Sequence, residues 1–406
     1  MAERSRTILA VCLLLAACAA PAPATPTEVE LILPTPGTPV STCSSFELQP
    51  TPRPGSASRF PAVSDQDHIR GDAGADVTLI VYNDFQCSDC NYLPLSRTLL
   101  ERHPTSLRIV YRPYPYSAYF DKADLAARAA EAAGEQGRFW ELHDLLFEGQ
   151  DEWTGLGEQA FQTWLTRQAS QLGMDPQRFE ADLNSQEVTE RVHNASEQGA
   201  ELDIPILPLF LLNGQIYTGP TDSYSLDRVI SLIALGKRQI GACPPFVIDP
   251  EHNYLATLKT EHGEIVVQLF ADKAPLAVNS FVFLARQGWY DDITFHYVVP
   301  DLAAQSGDPS GTGEGNPGYL FEVELPHGLK FDRPGRVGLF NSGPNTNGSQ
   351  FFITYQATPD LDGKYTIFGQ VLSGLDALAA LTPREEQPGE FLPPGDRLIS
   401  VTIEER

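Results

Sequence analysis

Two cysteines, Cys87 and Cys90, stand two residues apart in the stretch FQCSDC. A pair at this spacing can exchange a disulfide with another protein, bind a metal ion or close a loop as a structural disulfide. A structural zinc site needs four ligands, and neither a second cysteine pair nor a spaced histidine pair lies nearby in the sequence. A disulfide that closes so short a loop removes little chain entropy, so its value as a staple is small. The pair therefore predicts thiol–disulfide exchange, a chemistry that needs no cofactor.

The order of the two thiols along the chain predicts their roles. Cys87 is expected at the N-terminus of a helix, where unpaired amide groups and the helix dipole favour a thiolate. We therefore expect Cys87 to be the exposed nucleophile and Cys90 to be the buried thiol that resolves the mixed disulfide. The carboxylate of Asp89 lies between them and should disfavour the thiolate, which makes the disulfide less oxidising. The hypothesis is a mild oxidant, or an isomerase or reductase.

The segments around this pair predict an α/β domain. Residues 76–87 alternate apolar side chains and end in a turn, which indicates a buried strand that runs into a helix start. Residues 106–116 indicate a second strand, and three segments within residues 121–202 have apolar side chains at helical spacing. Asn213 and Gly214 separate two short apolar runs, which is a strong hairpin signal. A last helix is expected to end near residue 240.

This order of elements resembles the DsbA-like branch of the thioredoxin superfamily over about residues 65–240. The resemblance rests on DFQCSDC at the strand-to-helix junction, on EQGRFWELHDLLF in the family's helical insertion and on LPLFLLNG in its substrate-facing loop. It implies that Pro208 in that loop is cis and lies against the cysteine pair. The family often has a buried acid six residues before the first cysteine, a position that Val81 occupies here. Asp84 could act as a proton relay in its place or could be a turn residue.

Residues 252–406 have a different pattern of predicted secondary structure. They begin with two alternating strands and a helix that starts near Pro275, and then continue as short strands with glycine-rich turns, which suggests a closed antiparallel barrel. The segments LFADKAPLAVNSF, GPNTNGSQFFIT and LDGKYTIFGQV resemble the signature segments of cyclophilins, which are peptidyl-prolyl isomerases. The expected N-terminal domain, residues 63–242, is therefore an α/β thioredoxin fold with a helical insertion. The expected C-terminal domain, residues 250–406, is a mainly-β eight-stranded cyclophilin barrel with two helices.

The cyclophilin resemblance implies a peptide groove with one change at its centre. In the family an arginine donates a hydrogen bond to the prolyl nitrogen as amide resonance is lost in the transition state. Alignment of FHYVVPDLAAQSGD puts Tyr297 in place of that arginine and Gln305 on the family's glutamine. The further groove positions that differ from the family's usual residues are Leu302, Ala303, Phe340 and Asp360. Those that keep family-like residues are Asn341, Phe352, Leu361 and Tyr365.

These changes leave two interpretations of the barrel open. A neutral phenol donates a weaker hydrogen bond than a guanidinium ion, and Phe340 should narrow the groove, so the barrel is either a weak isomerase or a catalytically silent binder of proline peptides. We expect a protein-folding factor that combines thiol–disulfide exchange with proline isomerisation or proline-peptide binding. The alternative is a non-catalytic peptide-binding chaperone or scaffold with a degenerate groove. The expected partners are unfolded or secreted polypeptides with cysteines and Xaa-Pro bonds, and a membrane redox partner.

Net charge and the first residues bear on location. A net charge of −25 disfavours nucleic acid and anionic lipid as partners because both require a basic surface. Residues 1–17 have the basic start, apolar run and small residues of an export signal, and LAAC resembles a bacterial lipobox with Cys18 as the lipidated residue. Residues 18–62 are rich in proline and threonine and predict a linker. The expected location is extracytoplasmic, with a lipid anchor in a bacterial membrane.

The remaining cysteines outside the signal, Cys43 and Cys243, lie just before and just after the N-terminal domain. They could form a disulfide that ties the linker to that domain, or they could be two free thiols. The sequence leaves both possibilities open.

Overall fold

The computed structural model of the protein describes residues 43–45, 58–325, 328–385, 387 and 389–406. The predicted export signal, Cys18 and most of the predicted linker lie outside the described residues. Within them the chain forms an N-terminal domain around a five-stranded sheet and a C-terminal domain around a nine-stranded sheet.

The N-terminal sheet is built around one fully buried strand. The strands of this part of the chain are β1 (Ser44–Ser45), β2 (His68–Gly71), β3 (Val77–Asn83), β4 (Leu107–Pro113), β5 (Leu209–Leu212) and β6 (Gln215–Ile216). The sheet has the order β2-β4-β3-β5-β6, in which β3 and β4 run parallel and the other neighbours antiparallel. Every residue of β3 is buried, as expected of a central strand covered on both faces. The β5–β6 hairpin turns at Asn213 and Gly214, whose positive φ angles of 49° and 82° suit a tight turn.

Helices pack around this sheet, and most of them come from one long stretch between β4 and β5. The helices are α1 (Leu93–Arg102), α2 (Ala123–Gly134), α3 (Phe139–Glu148), α4 (Gln150–Trp153), α5 (Glu158–Gln171), α6 (Pro176–Leu183), α7 (Gln186–Glu201) and α8 (Ser223–Leu235). The apolar pattern of residues 121–148 divides into α2 and α3 because Gly137 takes a φ of 68°, which is typical of a helix end.

The C-terminal domain is mainly β-structure. Its elements are β7 (Tyr254–Thr260), β8 (Gly263–Leu269), α9 (Pro275–Arg286), β9 (Ile293–Thr294), β10 (Tyr297–Val299), β11 (Ala303–Ser306), β12 (Tyr319–Leu320), β13 (Arg336–Leu339), β14 (Phe351–Thr354), β15 (Ile367–Ser373), α10 (Leu375–Ala379) and β16 (Arg397–Glu405). The sheet has the order β10-β11-β14-β13-β15-β8-β7-β16-β9. Its core contains the packed rings of Phe281, Tyr290, Phe351 and Phe368.

The expected closed barrel of eight strands differs from this sheet. The described part of the chain has nine strands in it, because residues 293–299 divide into β9 and β10 at Phe295 and His296. β9 pairs with β16 at one edge of the sheet, whereas β10 pairs with β11 at the other. The amide of Phe295 donates to the carbonyl of Asp396, which extends the β9–β16 pairing by one residue, and from Tyr297 onward the chain pairs with β11 instead. The result is a curled sheet whose two edge strands are consecutive in the chain.

The packed N-terminal domain begins before residue 63, within the predicted linker. Phe60 is only 6% exposed, and its ring centroid lies 5.7 Å from that of Tyr82. A buried aromatic ring removes a large apolar area from water, which explains why this side chain joins the domain. The linker therefore ends earlier than predicted.

A disulfide joins Cys43 to Cys243, with Cα atoms 5.9 Å apart. Both cysteines pack against the core of the C-terminal domain, and β1, directly after Cys43, pairs antiparallel with β12 of that domain. The disulfide therefore fastens the start of the described chain to the C-terminal domain. The sequence had suggested attachment to the N-terminal domain, since only the positions of the two cysteines along the chain were visible there.

Candidate functional site

The two clustered cysteines follow the central strand β3 and form a disulfide, with Cα atoms 5.2 Å apart. Cys87 is half-buried, whereas Cys90 is only 1% exposed. The amide of Cys90 donates to the carbonyl of Cys87 at 3.1 Å, and Ser88–Cys90 form a single 3₁₀ turn. The more exposed residue of the pair is thus the one expected to be the nucleophile.

Cys87 is the N-cap of the short 3₁₀ helix Ser88–Cys90 and does not begin an α-helix. Helix α1 begins only at Leu93, six residues after Cys87, with Pro94 in its first turn and the Asn91 side chain accepting from the Leu93 amide at 3.2 Å. Proline in a first turn is a signal of a helix start, and it places this start after the pair. The dipole of an α-helix acts within its first turn, so α1 does not supply the stabilisation that the sequence suggested.

Two amide side chains fix the backbone on either side of the cysteines. Asn83, at the end of β3 and fully buried, donates from Nδ2 to the carbonyl of Cys90 at 2.9 Å. Gln150, the first residue of α4, donates from Nε2 to the carbonyls of Phe85 at 2.7 Å and Cys87 at 3.0 Å. The helical stretch between β4 and β5 therefore helps to position the pair. Sequence reasoning missed both residues, because a lone Asn or Gln has no distinguishing spacing.

Asp84 lies between β3 and the pair and is only 1% exposed. Its two carboxylate oxygens accept hydrogen bonds from the backbone amides of Gln86 at 2.7 Å and Tyr116 at 2.6 Å. Burial raises the pKa of this carboxyl, against the lowering effect of those amides. These contacts are typical of a turn residue, the backbone amide of Cys87 also acts on the carboxyl, and both roles of Asp84 stay predictions. Val81, at the family's acid position, is completely buried.

Pro208 lies at the same end of the sheet as the cysteine pair. Tyr82 of β3 stands opposite Leu209 of β5, so the residue before Leu209 reaches the end where β3 continues toward Cys87. The Leu207–Pro208 peptide bond is cis. The loops at this end expose apolar side chains: Tyr116, Tyr119 and Ile206 are 41%, 74% and 69% exposed.

A second site occupies the C-terminal domain, where an apolar cluster gathers half of the predicted groove residues. Its buried members are Ala303, Phe331, Phe352 and Ile367, and its half-buried members are Phe270, Leu329, Phe340, Leu361 and Tyr365. The ring centroid of Tyr365 lies 5.3 Å from that of Phe352 and 6.2 Å from that of Phe340. Leu302 and Asp360 are exposed, and half-buried Asn341 donates from Nδ2 to the carbonyl of Lys364 at 3.3 Å.

Phe331 and Ile367 were not predicted as groove residues. Phe331 is fully buried, and its ring stacks on Phe352 with centroids 5.5 Å apart. Neither residue is among the groove positions that the cyclophilin resemblance implies, although Ile367 lies within the segment LDGKYTIFGQV.

Tyr297, Gln305 and Phe352 form one row across three strands. Tyr297 of β10 stands opposite Gln305 of β11, and Gln305 stands opposite Phe352 of β14. Directly opposite residues of antiparallel strands project from the same face, so the three side chains are neighbours. Burial raises the pKa of the Tyr297 phenol, and the charge of Glu385 adds to the shift, so the phenol is a neutral hydrogen-bond donor at pH 7.

Gln305 is held by a second glutamine. Its Nε2 donates to Oε1 of Gln350 at 2.8 Å, and Nε2 of Gln350 donates to the carbonyls of Gly313 at 3.0 Å and Gly315 at 2.9 Å. Gln350, Gly313 and Gly315 line one side of a cavity of about 280 Å³ next to Phe340. Gln350 lies inside the segment GPNTNGSQFFIT, but the sequence analysis did not predict it as a groove residue.

Comparison with known proteins supports both domain types. Residues 255–402 match the family described as cyclophilin type peptidyl-prolyl cis-trans isomerase/CLD, and residues 63–231 match the thioredoxin family. A Gibberella zeae protein named peptidyl-prolyl cis-trans isomerase-like 1 is 44% identical over 140 residues, which is 33% of this chain and 86% of that protein. Arabidopsis thaliana peptidyl-prolyl cis-trans isomerase CYP18-1 is 41% identical over 150 residues, 36% of this chain and 94% of that protein. A solved Cryptosporidium parvum cyclophilin has 33% identity and a TM-score of 0.35, over 38% of this chain and 98% of that one.

The chain belongs to the cyclophilin-type peptidyl-prolyl isomerase family. A thioredoxin-like domain precedes the cyclophilin domain, so the prediction of these two kinds of domain is confirmed.

The predicted location is wrong. The matching relatives are fungal and plant cyclophilin-like proteins and not lipoproteins of bacterial membranes. The lipobox interpretation depended on four residues, LAAC, and so short a pattern arises easily by chance. As a separate observation, no helix in the described part of the chain combines the length and the hydropathy needed to span a membrane.

Proposed function

We propose that this protein is a folding factor that joins a DsbA-like thiol–disulfide exchange site to a proline-peptide site of the cyclophilin type. The names of its relatives and the apolar cluster in its groove support peptidyl-prolyl isomerase activity in the C-terminal domain. The observation that carries the exchange activity is half-buried Cys87 beside buried Cys90, in a backbone held by Asn83 and Gln150.

The exchange proceeds through a mixed disulfide. In the reduced protein the thiolate of Cys87 attacks one sulfur of a substrate disulfide, forms a new S–S bond and releases the other substrate sulfur as a thiolate. Cys90, as a thiolate, then attacks the Cys87 sulfur, which re-forms the internal disulfide and releases the second substrate thiolate. The reverse sequence oxidises a substrate dithiol. Asp89, an exposed carboxylate in the turn, disfavours the Cys87 thiolate, and the protein is accordingly a mild oxidant, an isomerase or a reductase.

The isomerase site lowers a barrier of about 20 kcal/mol that arises from amide resonance. The apolar cluster takes the proline ring, Gln305 binds the peptide backbone and the Tyr297 phenol donates to the prolyl nitrogen as the amide twists. A neutral donor stabilises that nitrogen less than an arginine does, so turnover is slow. The substrates are polypeptides with cysteines and Xaa-Pro bonds, and a second dithiol protein returns the cysteine pair to its starting redox state.

A non-catalytic peptide-binding protein is the second candidate, and Tyr297 together with half-buried Phe340 favours it for the groove. The full chain and its Cys87→Ser variant distinguish the candidates in two assays: disulfide exchange with a peptide disulfide, and isomerisation of an Xaa-Pro peptide. The folding factor exchanges disulfides only with Cys87 present and isomerises the peptide in both forms. A chain that binds the peptides equally well in both forms, with neither activity, would be a binding protein.

A further inference from the structure

Helix α8 of the thioredoxin-like domain packs directly against the cyclophilin domain. Leu235, its last residue, is 3% exposed and belongs to the cyclophilin core. Just after the helix, Nε2 of Gln239 donates to the carbonyl of Asn316 at 3.1 Å, and the amide of Ile240 donates to the carbonyl of Pro317 at 2.9 Å. These contacts converge on residues 307–318, which follow β11 and which we call the Asp308 loop.

The Asp308 loop is wrapped around its own carboxylate. Asp308 is fully buried and accepts hydrogen bonds from the amides of Ser310 at 2.8 Å, Gly313 at 2.8 Å and Gly315 at 2.9 Å. A Cβ atom on Gly315 would lie 1.9 Å from Oδ1 of Asp308 and 2.7 Å from Cδ2 of Leu235. The loop is therefore confined between a carboxylate on its inner side and α8 on its outer side.

Arg228 of α8 forms hydrogen bonds with the outer side of this loop. Its Nη2 donates to the carbonyl of Thr312 at 2.7 Å and to Oε1 of Glu314 at 2.8 Å. The alternate residues of the same stretch, Gly313 and Gly315, present their carbonyls in the other direction, to Gln350.

One hydrogen-bonded path thus runs from the thioredoxin-like domain into the groove. Arg228 holds the Asp308 loop, the loop holds Nε2 of Gln350 through two carbonyls, and Oε1 of Gln350 holds Nε2 of Gln305. With one amide hydrogen of Gln305 committed to Gln350, its oxygen is oriented for a peptide in the groove. Loss of the loop's position frees Gln350 to rotate and with it Gln305, and ordering those side chains again costs binding free energy.

We propose that Arg228 is a positioning residue for the peptide groove, so that the docked thioredoxin-like domain sets the affinity of the cyclophilin domain for proline peptides. This inference rests on the proposed function of the groove. It goes further because it gives the N-terminal domain a role in proline recognition that is independent of its cysteines.

The ion pair of Arg228 is suited to a test because it adds little to folding stability. Arg228 and Glu314 are 20% and 59% exposed, and partly exposed pairs are screened by solvent. Removal of the arginine should therefore leave the full chain folded, with a small decrease in melting temperature, while it releases the loop. Arg167, an exposed arginine on α5, provides a matched control.

The experiment compares the full chain with Arg228→Ala, Arg228→Lys and Arg167→Ala. We expect Arg228→Ala to bind an Xaa-Pro tetrapeptide about three- to tenfold more weakly, in the range typical of coupling networks. The side-chain amide signals of Gln305 in a ¹⁵N NMR spectrum should shift in that variant. Arg228→Lys keeps a cationic donor and should recover most of the affinity, and Arg167→Ala should match the unaltered chain.

Unchanged affinity in Arg228→Ala, or a loss of affinity with the Gln305 signals unmoved, would overturn the proposal. If Arg228→Ala melts early, Glu314→Gln provides the same readout with the arginine in place, and a shift of the Gln305 signals is again required. If the unaltered chain neither binds nor isomerises the peptide, the proposed function of the groove fails. The Gln305 signals still report whether Arg228 positions that side chain, so the two failures are distinguishable.

Discussion

Replacement of Tyr297 with arginine should raise the isomerase activity of this chain. Tyr297 stands opposite Gln305 in the β10–β11 ladder, so a donor at this position faces the peptide beside the glutamine. Burial raises the pKa of the Tyr297 phenol, which keeps the present donor neutral. The same burial opposes a guanidinium ion, but the nearby charge of Glu385 favours one, and arginine also retains its charge in poorly solvated sites.

The size of the gain follows from the change in donor. A hydrogen bond from a neutral donor contributes about 0.5–1.5 kcal/mol and one from a charged donor about 1.5–3 kcal/mol, so the exchange is worth about 1–1.5 kcal/mol. Because the prolyl nitrogen becomes a good acceptor only when the amide twists, this difference appears in the transition state. At about 1.4 kcal/mol per factor of ten, kcat should rise roughly five- to tenfold with little change in KM.

The assay is isomerisation of an Xaa-Pro tetrapeptide followed by NMR exchange spectroscopy, which also gives the peptide affinity. Tyr297→Phe removes the hydroxyl while keeping the ring and should lower kcat, which tests whether the phenol acts at all. If Tyr297→Arg binds the peptide as the unaltered chain does and turns it over no faster, the donor is not the limiting feature. The reasoning would then be wrong, and the narrowing by Phe340 would be the better explanation.

Three further predictions concern stability. Burial raises the pKa of Glu324, whose carboxylate accepts from the amides of Leu276 and Ala277, to about 7. Because the folded state holds the Glu324 proton more tightly than the unfolded state, protonation of Glu324 favours folding. This contribution to stability is fully present below pH 4.5 and is lost as the pH rises through 7. The free energy of unfolding should therefore fall by up to about 3 kcal/mol more in the unaltered chain than in Glu324→Gln between pH 4.5 and 8, and parallel urea-unfolding curves would contradict this. The double variant Cys43→Ser/Cys243→Ser opens a cross-link between residues 200 positions apart and should lose up to about 5 kcal/mol; an unchanged melting temperature would contradict it. Asn83→Ala leaves the Cys90 carbonyl without its buried donor and should cost about 1–3 kcal/mol in urea unfolding, whereas no loss would show that another group replaces it.

The elements that the sequence predicted well are those with strong local patterns. β3 is apolar along its length, and the β5–β6 hairpin turns at Asn213 and Gly214, the dipeptide that suits positive φ angles. β2 was missed because it is an edge strand of the sequence HIRG, with no buried residue to produce an apolar pattern. The start of α1 was predicted too early, since a strand followed by two cysteines looks like a direct strand-to-helix junction until Pro94 is considered.

The parts of the sites that the sequence did not reveal depend on contacts between distant segments. Gln150 reaches the carbonyl of Cys87 from 63 residues away, and Gln350 reaches Gln305 from 45 residues away. The hydrogen bonds from Arg228 to the Asp308 loop join two domains, and no pattern in either sequence segment indicates them. Spacing along the chain identifies chemistry that sits in one motif, whereas the residues that orient this chemistry are determined by tertiary packing.

The most direct test of the central claim is a trapping experiment on Cys87. The reduced Cys90→Ala variant, mixed with a peptide disulfide, should form a mixed disulfide at Cys87 that persists because the resolving thiol is absent. The paired variant Cys87→Ala/Cys90→Ala controls for other thiols and should trap nothing. If Cys90→Ala remains a free thiol under conditions in which a small thiol exchanges with the same peptide, Cys87 does not perform the exchange that this account assigns to it.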